Sequence, residues 1–539
     1  MPSPLTARIA AAIVVLAATL PYLPTLDNYF AQDDFGVVWL LASKPAWYFP
    51  QWFVVPWMED IWAYTPDEIR PFVAVTYQAA AQWNPGSPVA QHLVNVALHA
   101  ANALLVLGIA ARVAGLGTAA AVVAAVAFAV LPMQTESVAW VTGRVDSMPA
   151  FFYLAAFYLY CRWRAEGRPA LYFWSLAACF TALFSKQNTI TLVPALMAFD
   201  LVIGRRPVRP SWDWLRPYVP FIVLTAGYLW LRYAVFGQVA RESMLTTARL
   251  DPFLQDLSVH LRRMVFGEPG LAMPAGRAAL LVGLVAGGVA AIGGAFGRDR
   301  ASRLARPAFY FAIVWLFLGT APTLVAGYAS PRHMYLASAG WAITLGIAFE
   351  LLWHARPGRV LKPLAAVCAA ALLVTYTFRL AADVRLWETR SMVSRRAVAD
   401  IEREALRLPR GALILAGAPR RSWDFALPYA LRPPFTREDV TARATVISDS
   451  SLHCCPAVHW ERYTRGALQA WLDRPDRAPV VALYWDPDTG QLSRVSDADE
   501  PYLRTLMQVF LDTDGPAALE EAMHDTLREL AAPRVVANP

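Results

Sequence analysis

The chain has 539 residues, 57% of them hydrophobic, and a mean hydropathy of +0.37. That excludes an ordinary soluble protein of this length, whose apolar share is roughly 45–50%. The net charge of +7 comes almost entirely from arginine, since lysine occurs only at Lys44, Lys186 and Lys362. The arginine clusters fall between apolar runs, so they read as a membrane-orientation signal rather than a nucleic-acid surface.

The N-terminus carries Arg8 and then an apolar run to about Leu23. No small-residue cleavage site precedes Asp33, so an uncleaved first span is expected. Apolar runs of roughly 18–22 residues predict about eleven spans. Their limits are 7–24, 92–112, 118–133, 147–163, 169–185, 188–204, 217–236, 277–296, 307–326, 334–353 and 361–379. With the N-terminus in the cytoplasm, nearly every inner loop holds arginine, as in Arg162, Arg164 and Arg168 or Arg298, Arg300, Arg303 and Arg306. The odd number of spans then places the tail outside.

The first outer loop, 25–90, carries Trp39, Trp47, Trp52, Trp57, Trp62 and Trp83 and predicts short helices at the membrane interface. A second interfacial helix is expected over 251–266. From about Ala381 the composition turns polar. Ala412 to Gly417 predicts a buried strand, and Val480–Trp485 with Leu492–Val495 a hairpin around Asp486-Pro487-Asp488-Thr489-Gly490. Helices are expected over 388–408, 461–473 and 516–531. The expected fold is thus an α-helical polytopic membrane protein over 1–380 with an extracytoplasmic α/β domain over 381–539.

Cys161, Cys179 and Cys368 lie in apolar spans as small core residues. Cys454 and Cys455 are adjacent in a polar stretch, where a mutual disulfide would be strained. No Cys/His spacing suits a metal and no glycine-rich phosphate loop of the nucleotide-binding kind stands out, so neither metal nor cofactor is assigned.

The outer face gathers a set of polar residues. Asp33-Asp34 follows the first span and Arg70-Pro71 precedes the second. His92, Asn95 and His99 share one helical face, and Glu136, Trp140, Arg144 and Asp146 occupy one loop. Ser185-Lys186-Gln187 joins two spans, and Arg332-His333-Met334-Tyr335 opens another. Taken in order, with Glu136-Ser137-Val138-Ala139-Trp140-Val141-Thr142-Gly143-Arg144-Val145-Asp146 complete, these pieces resemble the transmembrane and tetratricopeptide-repeat O-mannosyltransferases and their bacterial relatives. Those enzymes belong to the GT-C glycosyltransferase superfamily. The resemblance covers about residues 10–390. Leu131-Pro132 stands where His-Pro is usual, Gln187 follows the lysine where an acid is common, Pro331 replaces a common Glu, and the tail has no tetratricopeptide repeat.

The resemblance implies transfer of a sugar, mannose or another hexose, from a polyprenyl-phosphate carrier to a hydroxyl on a protein, lipid or glycan acceptor. Asp33 or Asp34 would take the acceptor proton, with preference for Asp34. Lys186, Arg332 and Tyr335 would hold the donor phosphate, and Arg70, His92, Glu136, Arg144 and Asp146 would support the site. Inversion at the anomeric carbon is expected of a single displacement. Other readings are an O-antigen polymerase or ligase, a transporter, or a non-catalytic membrane scaffold. A bacterial inner or plasma membrane is the expected location.

Overall fold

A computed structural model describes residues 3–535, apart from 60, 62–67, 85, 205, 207–210, 240–249, 267–273, 299, 326–329, 356–357, 420–425, 449–464, 475–478, 497–506, 509–510 and 513–515. Trp62, Cys454, Cys455 and the start of the helix expected over 461–473 lie outside the described residues.

Helix α1 (Pro4–Thr19) starts on Ser3, whose hydroxyl accepts from the Thr6 N–H at 3.2 Å, with proline at the first helical position. The loop after α1 folds into α2 (Asp34–Ser43), a 3-10 segment over Ala46–Phe53, and α3 (Pro71–Trp83). Next come α4 (Val89–Arg112), α5 (Thr118–Val130), α6 (Thr135–Ala139), α7 (Arg144–Glu166), α8 (Pro169–Leu183) and α9 (Leu192–Val202). They are followed by α10 (Val219–Phe236), α11 (Leu250–Phe266), α12 (Pro274–Phe296), α13 (Arg300–Val325), α14 (Ser338–His354) and the 50-residue α15 (Gly358–Arg407).

Each expected span coincides with a helix, but a count of eleven crossings is not established. Among the described residues, five helical segments are long and apolar enough to cross a membrane, and six if the bent pair Thr118–Val130 and Pro132–Ala139 is one span. The shortfall has local causes. Helices α8, α9 and α14 have 15, 11 and 17 residues, and α7 carries charges at both ends. The apolar bundle nonetheless makes the chain an integral membrane protein.

The bend of 50° between α5 and α6 builds the site. Pro132 ends α5, because proline cannot continue the hydrogen-bond ladder. The chain then doubles back through Glu136–Gly143 into α7. Gly143 lies where the return is tightest: a Cβ there would be 2.1 Å from the Glu136 carbonyl oxygen and 2.8 Å from Ser137 Cα. Only a residue without a side chain fits.

Beyond α15 the chain forms a four-stranded sheet of order β2-β1-β3-β4, from β1 (Ala412–Gly417), β2 (Ala444–Ser448), β3 (Val480–Asp486) and β4 (Gln491–Ser496). β1 pairs in parallel with β2 and β3, and β3 with β4 in antiparallel. The expected strand and hairpin are present, with Gly490 at φ +63° closing the turn. β2 was not anticipated: its five residues are too few for a clear pattern. β1 is buried on both faces, as its unbroken apolar sequence requires. Leu413 and Leu415 pack with Trp471 and Leu527 of the flanking helices α16 (Gly466–Leu472) and α17 (Pro516–Val535). Ala412, Ile414 and Ala416 face the other way, into one core with Phe30, Phe35, Trp52 and Trp57 of the loop between α1 and α4 and Val398 and Ile401 of α15. The tail and the loop between α1 and α4 therefore share a hydrophobic core, and α15 passes residue 380 without a break.

Candidate active site

The Asp33-Asp34 turn is held in an unusual conformation. Gln32 has φ +55°, a left-handed geometry that costs a non-glycine residue about 1–2 kcal/mol. This conformation divides the two aspartates. Asp34 is buried and accepts three hydrogen bonds, from the Ala31 N–H at 3.1 Å, the Thr142 N–H at 2.9 Å and the Thr142 hydroxyl at 2.7 Å. Burial pushes its carboxyl up to about 7, against the opposing pull of those bonds and of Arg144. Asp33 is half-buried at the N-cap position of α2 and makes no side-chain capping bond.

The return loop and two distant loops converge on Asp146, in the first turn of α7. Lys186 Nζ forms an ion pair with Asp146 Oδ1 and lies 3.3 Å from His333 Nδ1. His333 Nδ1 is 3.5 Å from the same carboxyl oxygen, and Arg332 Nε is 3.6 Å from Oδ2. Burial alone would raise the Asp146 carboxyl, but Lys186, His333 and Arg332 hold it well below the usual carboxylate range. Burial lowers Lys186, with Asp146 opposing, and brings the His333 imidazole down to about 4, so that it is neutral at physiological pH.

Arg332 is the hinge of the cluster. Its guanidinium lies 3.8 Å from Glu136 Oε1 and 4.7 Å from the ring centre of Trp140. Glu136 is fixed in turn by the Ser330 hydroxyl at 2.6 Å. Burial opposes the charge of Arg332, but Glu136, Asp146, Asp33 and Glu68 together raise it above its ordinary value. Arg70 pairs with Glu68 at 2.8 Å, and Glu68 also accepts from the Trp57 indole at 3.0 Å. The Nε groups of Arg70 and Arg332 and Oδ2 of Asp146 are buried without a hydrogen-bond partner among the described residues. Such orphan guanidinium donors are costly unless something anionic meets them.

Three expected site residues lie elsewhere. Tyr335, expected beside Lys186 and Arg332, does not join the cluster around Asp146. It is buried in the bundle with its hydroxyl 2.7 Å from His99 Nδ1 and 3.1 Å from Asn102 Nδ2. Tyr335 closes the 3-10 segment Pro331–Met334 and has already turned inward before α14 begins. Arg144 orients no carboxylate by ion pairing among the described residues. It donates to Asn95 at 2.8 Å, to the Gln91 carbonyl at 2.7 Å and side chain at 2.9 Å, and to Thr76 at 3.1 Å, and it lies over the Tyr77 ring at 4.4 Å. It ties α3, α4 and α7 together. His92 meets the Asn28 carbonyl at 3.2 Å and braces the first outer turn. Thr142, Glu68 and His333 were not singled out by sequence. His333 was legible only as the neighbour of Arg332, and Thr142 only as part of the long loop pattern.

The architecture is a helical bundle with its polar cluster at one end and a small domain packed over the loop after α1. It superimposes on the crystal structure of ArnT from Cupriavidus metallidurans bound to undecaprenyl phosphate with a TM-score of 0.50 at 13% identity, over 90% of this chain and 93% of that one. The apo form of the same protein gives the same score at 14% identity. In sequence the chain is similar to protein O-mannosyl-transferases: 31% identical to human TMTC4 over 176 residues, which is 28% of this chain and 24% of the relative. It is 27% identical to human TMTC1 over 212 residues, 36% and 23% of the two chains. It is 34% identical to Tmtc2 of Drosophila melanogaster over 202 residues, 34% and 20%. The chain thus spans about a quarter of the length of the curated relatives it matches. No family model matches it.

Proposed function

We propose that this chain is a GT-C glycosyltransferase that moves a sugar, mannose or another hexose, from a polyprenyl-phosphate carrier to a hydroxyl acceptor on the outer face of the membrane. The observation that carries this reading is that the buried guanidinium Nε groups of Arg70 and Arg332, within electrostatic reach of Lys186, make no hydrogen bond among the described residues. A phosphate would satisfy them with charge-assisted hydrogen bonds. The solved neighbour crystallised with undecaprenyl phosphate supports a lipid-linked donor.

Asp33 is assigned as the base and Asp34 as its anchor. Asp34 already accepts three hydrogen bonds, whereas Asp33 is half-buried within the electrostatic reach of Arg332. The acceptor oxygen attacks the anomeric carbon while its proton passes to Asp33. The bond from that carbon to the phosphate oxygen breaks with its electron pair on the oxygen. Lys186 and Arg332 stabilise the negative charge that develops there. A single displacement inverts the anomeric centre. Asp146 holds Lys186 and Arg332 in place, and neutral His333 adds no competing charge. The N-terminus lies in the cytoplasm and the tail outside, on the side of the catalytic turn. The test is an assay of Asp33→Asn and Asp34→Asn, made separately, with a polyprenyl-phosphate sugar. Asp33→Asn should lose roughly 10²–10⁴-fold in kcat; full activity in both variants overturns the base assignment. A reporter fused after Pro539 should be active only outside the cytoplasm.

A further inference from the structure

The helix that leads out of the membrane into the C-terminal domain carries one row of residues aimed at the catalytic turn. Trp387, Ser391 and Arg395 are spaced by four on α15 and so share one face. At about 1.5 Å per residue, its 50 residues extend well past the roughly 30 Å of hydrocarbon, so this face stands beyond the bilayer. Trp387 stacks on Trp140 with ring centres 5.6 Å apart and planes at 20°. Arg332 covers the ring of Trp140 at 4.7 Å, and Arg390 that of Trp387 at 4.8 Å. The result is a continuous ladder Arg332–Trp140–Trp387–Arg390, in which each tryptophan is covered by one cation and by the other tryptophan.

The ladder is tied to the turn at its middle. The Trp140 indole N–H donates to the Ala31 carbonyl at 3.2 Å, and the Ala31 N–H donates to Asp34 at 3.1 Å. Along the same face of α15, Ser391 Oγ accepts from the Tyr29 N–H, and Arg395 donates to the Asp27 carbonyl at 3.1 Å and lies 5.2 Å from the Tyr29 ring. The segment leading into the left-handed Gln32 is thus held by both the return loop and α15. Trp140 and Trp387 are 4% and 7% exposed, too deeply covered to serve as a platform for a sugar.

We propose that Trp387 is a positioning residue for the catalytic turn, acting through Trp140, and that the C-terminal domain is thereby part of the active-site scaffold rather than a detachable acceptor-binding module. The proposal rests on the reading of Asp33 as base, but its two parts fail separately. Trp387→Ala and Trp387→Phe are compared in the full-length protein by hydrogen–deuterium exchange of the segment 27–35 and by the kinetics of transfer from a polyprenyl-phosphate sugar. Trp387→Ala should speed exchange in that segment and lower kcat by about 10²-fold, the scale of a small misplacement of reacting groups, with donor KM changed less than about twofold. Trp387→Phe, which keeps the stack, should restore most of both. Unchanged exchange at 27–35, or a loss confined to donor KM, overturns the positioning role. If Asp33→Asn keeps full activity, the base reading fails while the exchange result still decides the contact. Should Trp387→Ala fail to fold, Arg395→Ala at the exposed end of the same face should still speed exchange at 27–31; no change there also overturns the proposal.

Discussion

Thr142 holds Asp34 twice, through its backbone N–H at 2.9 Å and its hydroxyl at 2.7 Å. The two residues lie 108 positions apart, and their contact joins the loop after α1 to the return loop before α7. It buries one of two chemically identical neighbours and leaves the other half-buried.

The anchor has a pH signature. The Asp34 carboxyl stands at about 7 in the folded protein, above its unfolded value, so the folded state holds the proton more tightly. That contribution is fully present below about pH 4 and is lost as pH rises through 7. The difference in melting temperature between the wild-type protein and Asp34→Asn should therefore shift against the wild type from pH 4 to 7 and level off above. Thermal unfolding in detergent across that range checks it, and a flat difference would refute it.

Asp146 and Lys186 form a buried ion pair, so breaking it should cost more than replacing it. Asp146→Asn leaves a buried ammonium unbalanced and should destabilise the protein by about 3–5 kcal/mol. Adding Lys186→Met to that variant should recover a large part of the loss. A double-mutant cycle on unfolding midpoints measures the coupling, and activity should remain lost in the double variant.

Arg144 offers a separation of stability from donor binding. Arg144→Lys removes the planar fork that serves Asn95, Gln91 and Thr76 together and should lower stability by about 2–4 kcal/mol. Donor KM in the protein that folds should stay near the wild-type value. Arg332→Lys should do the reverse, raising donor KM by about tenfold or more with a smaller effect on the melting temperature.

Gly143→Ala should abolish transfer. The new Cβ meets backbone atoms of Glu136 and Ser137, which cannot swing aside as a side chain end could. The loop that carries Glu136, Trp140 and Thr142 must shift, and with it the support of Arg332 and Asp34. Transfer activity and circular dichroism measured together should record lost catalysis with most of the helix content retained.

The sequence by itself determined where the long apolar helices lie and which polar residues were candidates for a site. Apolar runs, prolines and glycines are local signals, and they placed α4, α5 and α13 as well as the hairpin around Gly490. Partner choice is not local. Arg144 and Arg332 are the same residue type near the same membrane boundary, yet one serves neutral groups in the bundle and the other faces Glu136, Asp146 and Trp140. Tyr335, three residues from Arg332, turns inward to His99. Asp33 and Asp34 part company through a single left-handed residue and a threonine from another loop. Trp387 meets Trp140 only because a 50-residue helix carries it back over the turn. Only the tertiary structure decided these roles, because burial and the opposite charge that tune a side chain come from segments distant in the chain.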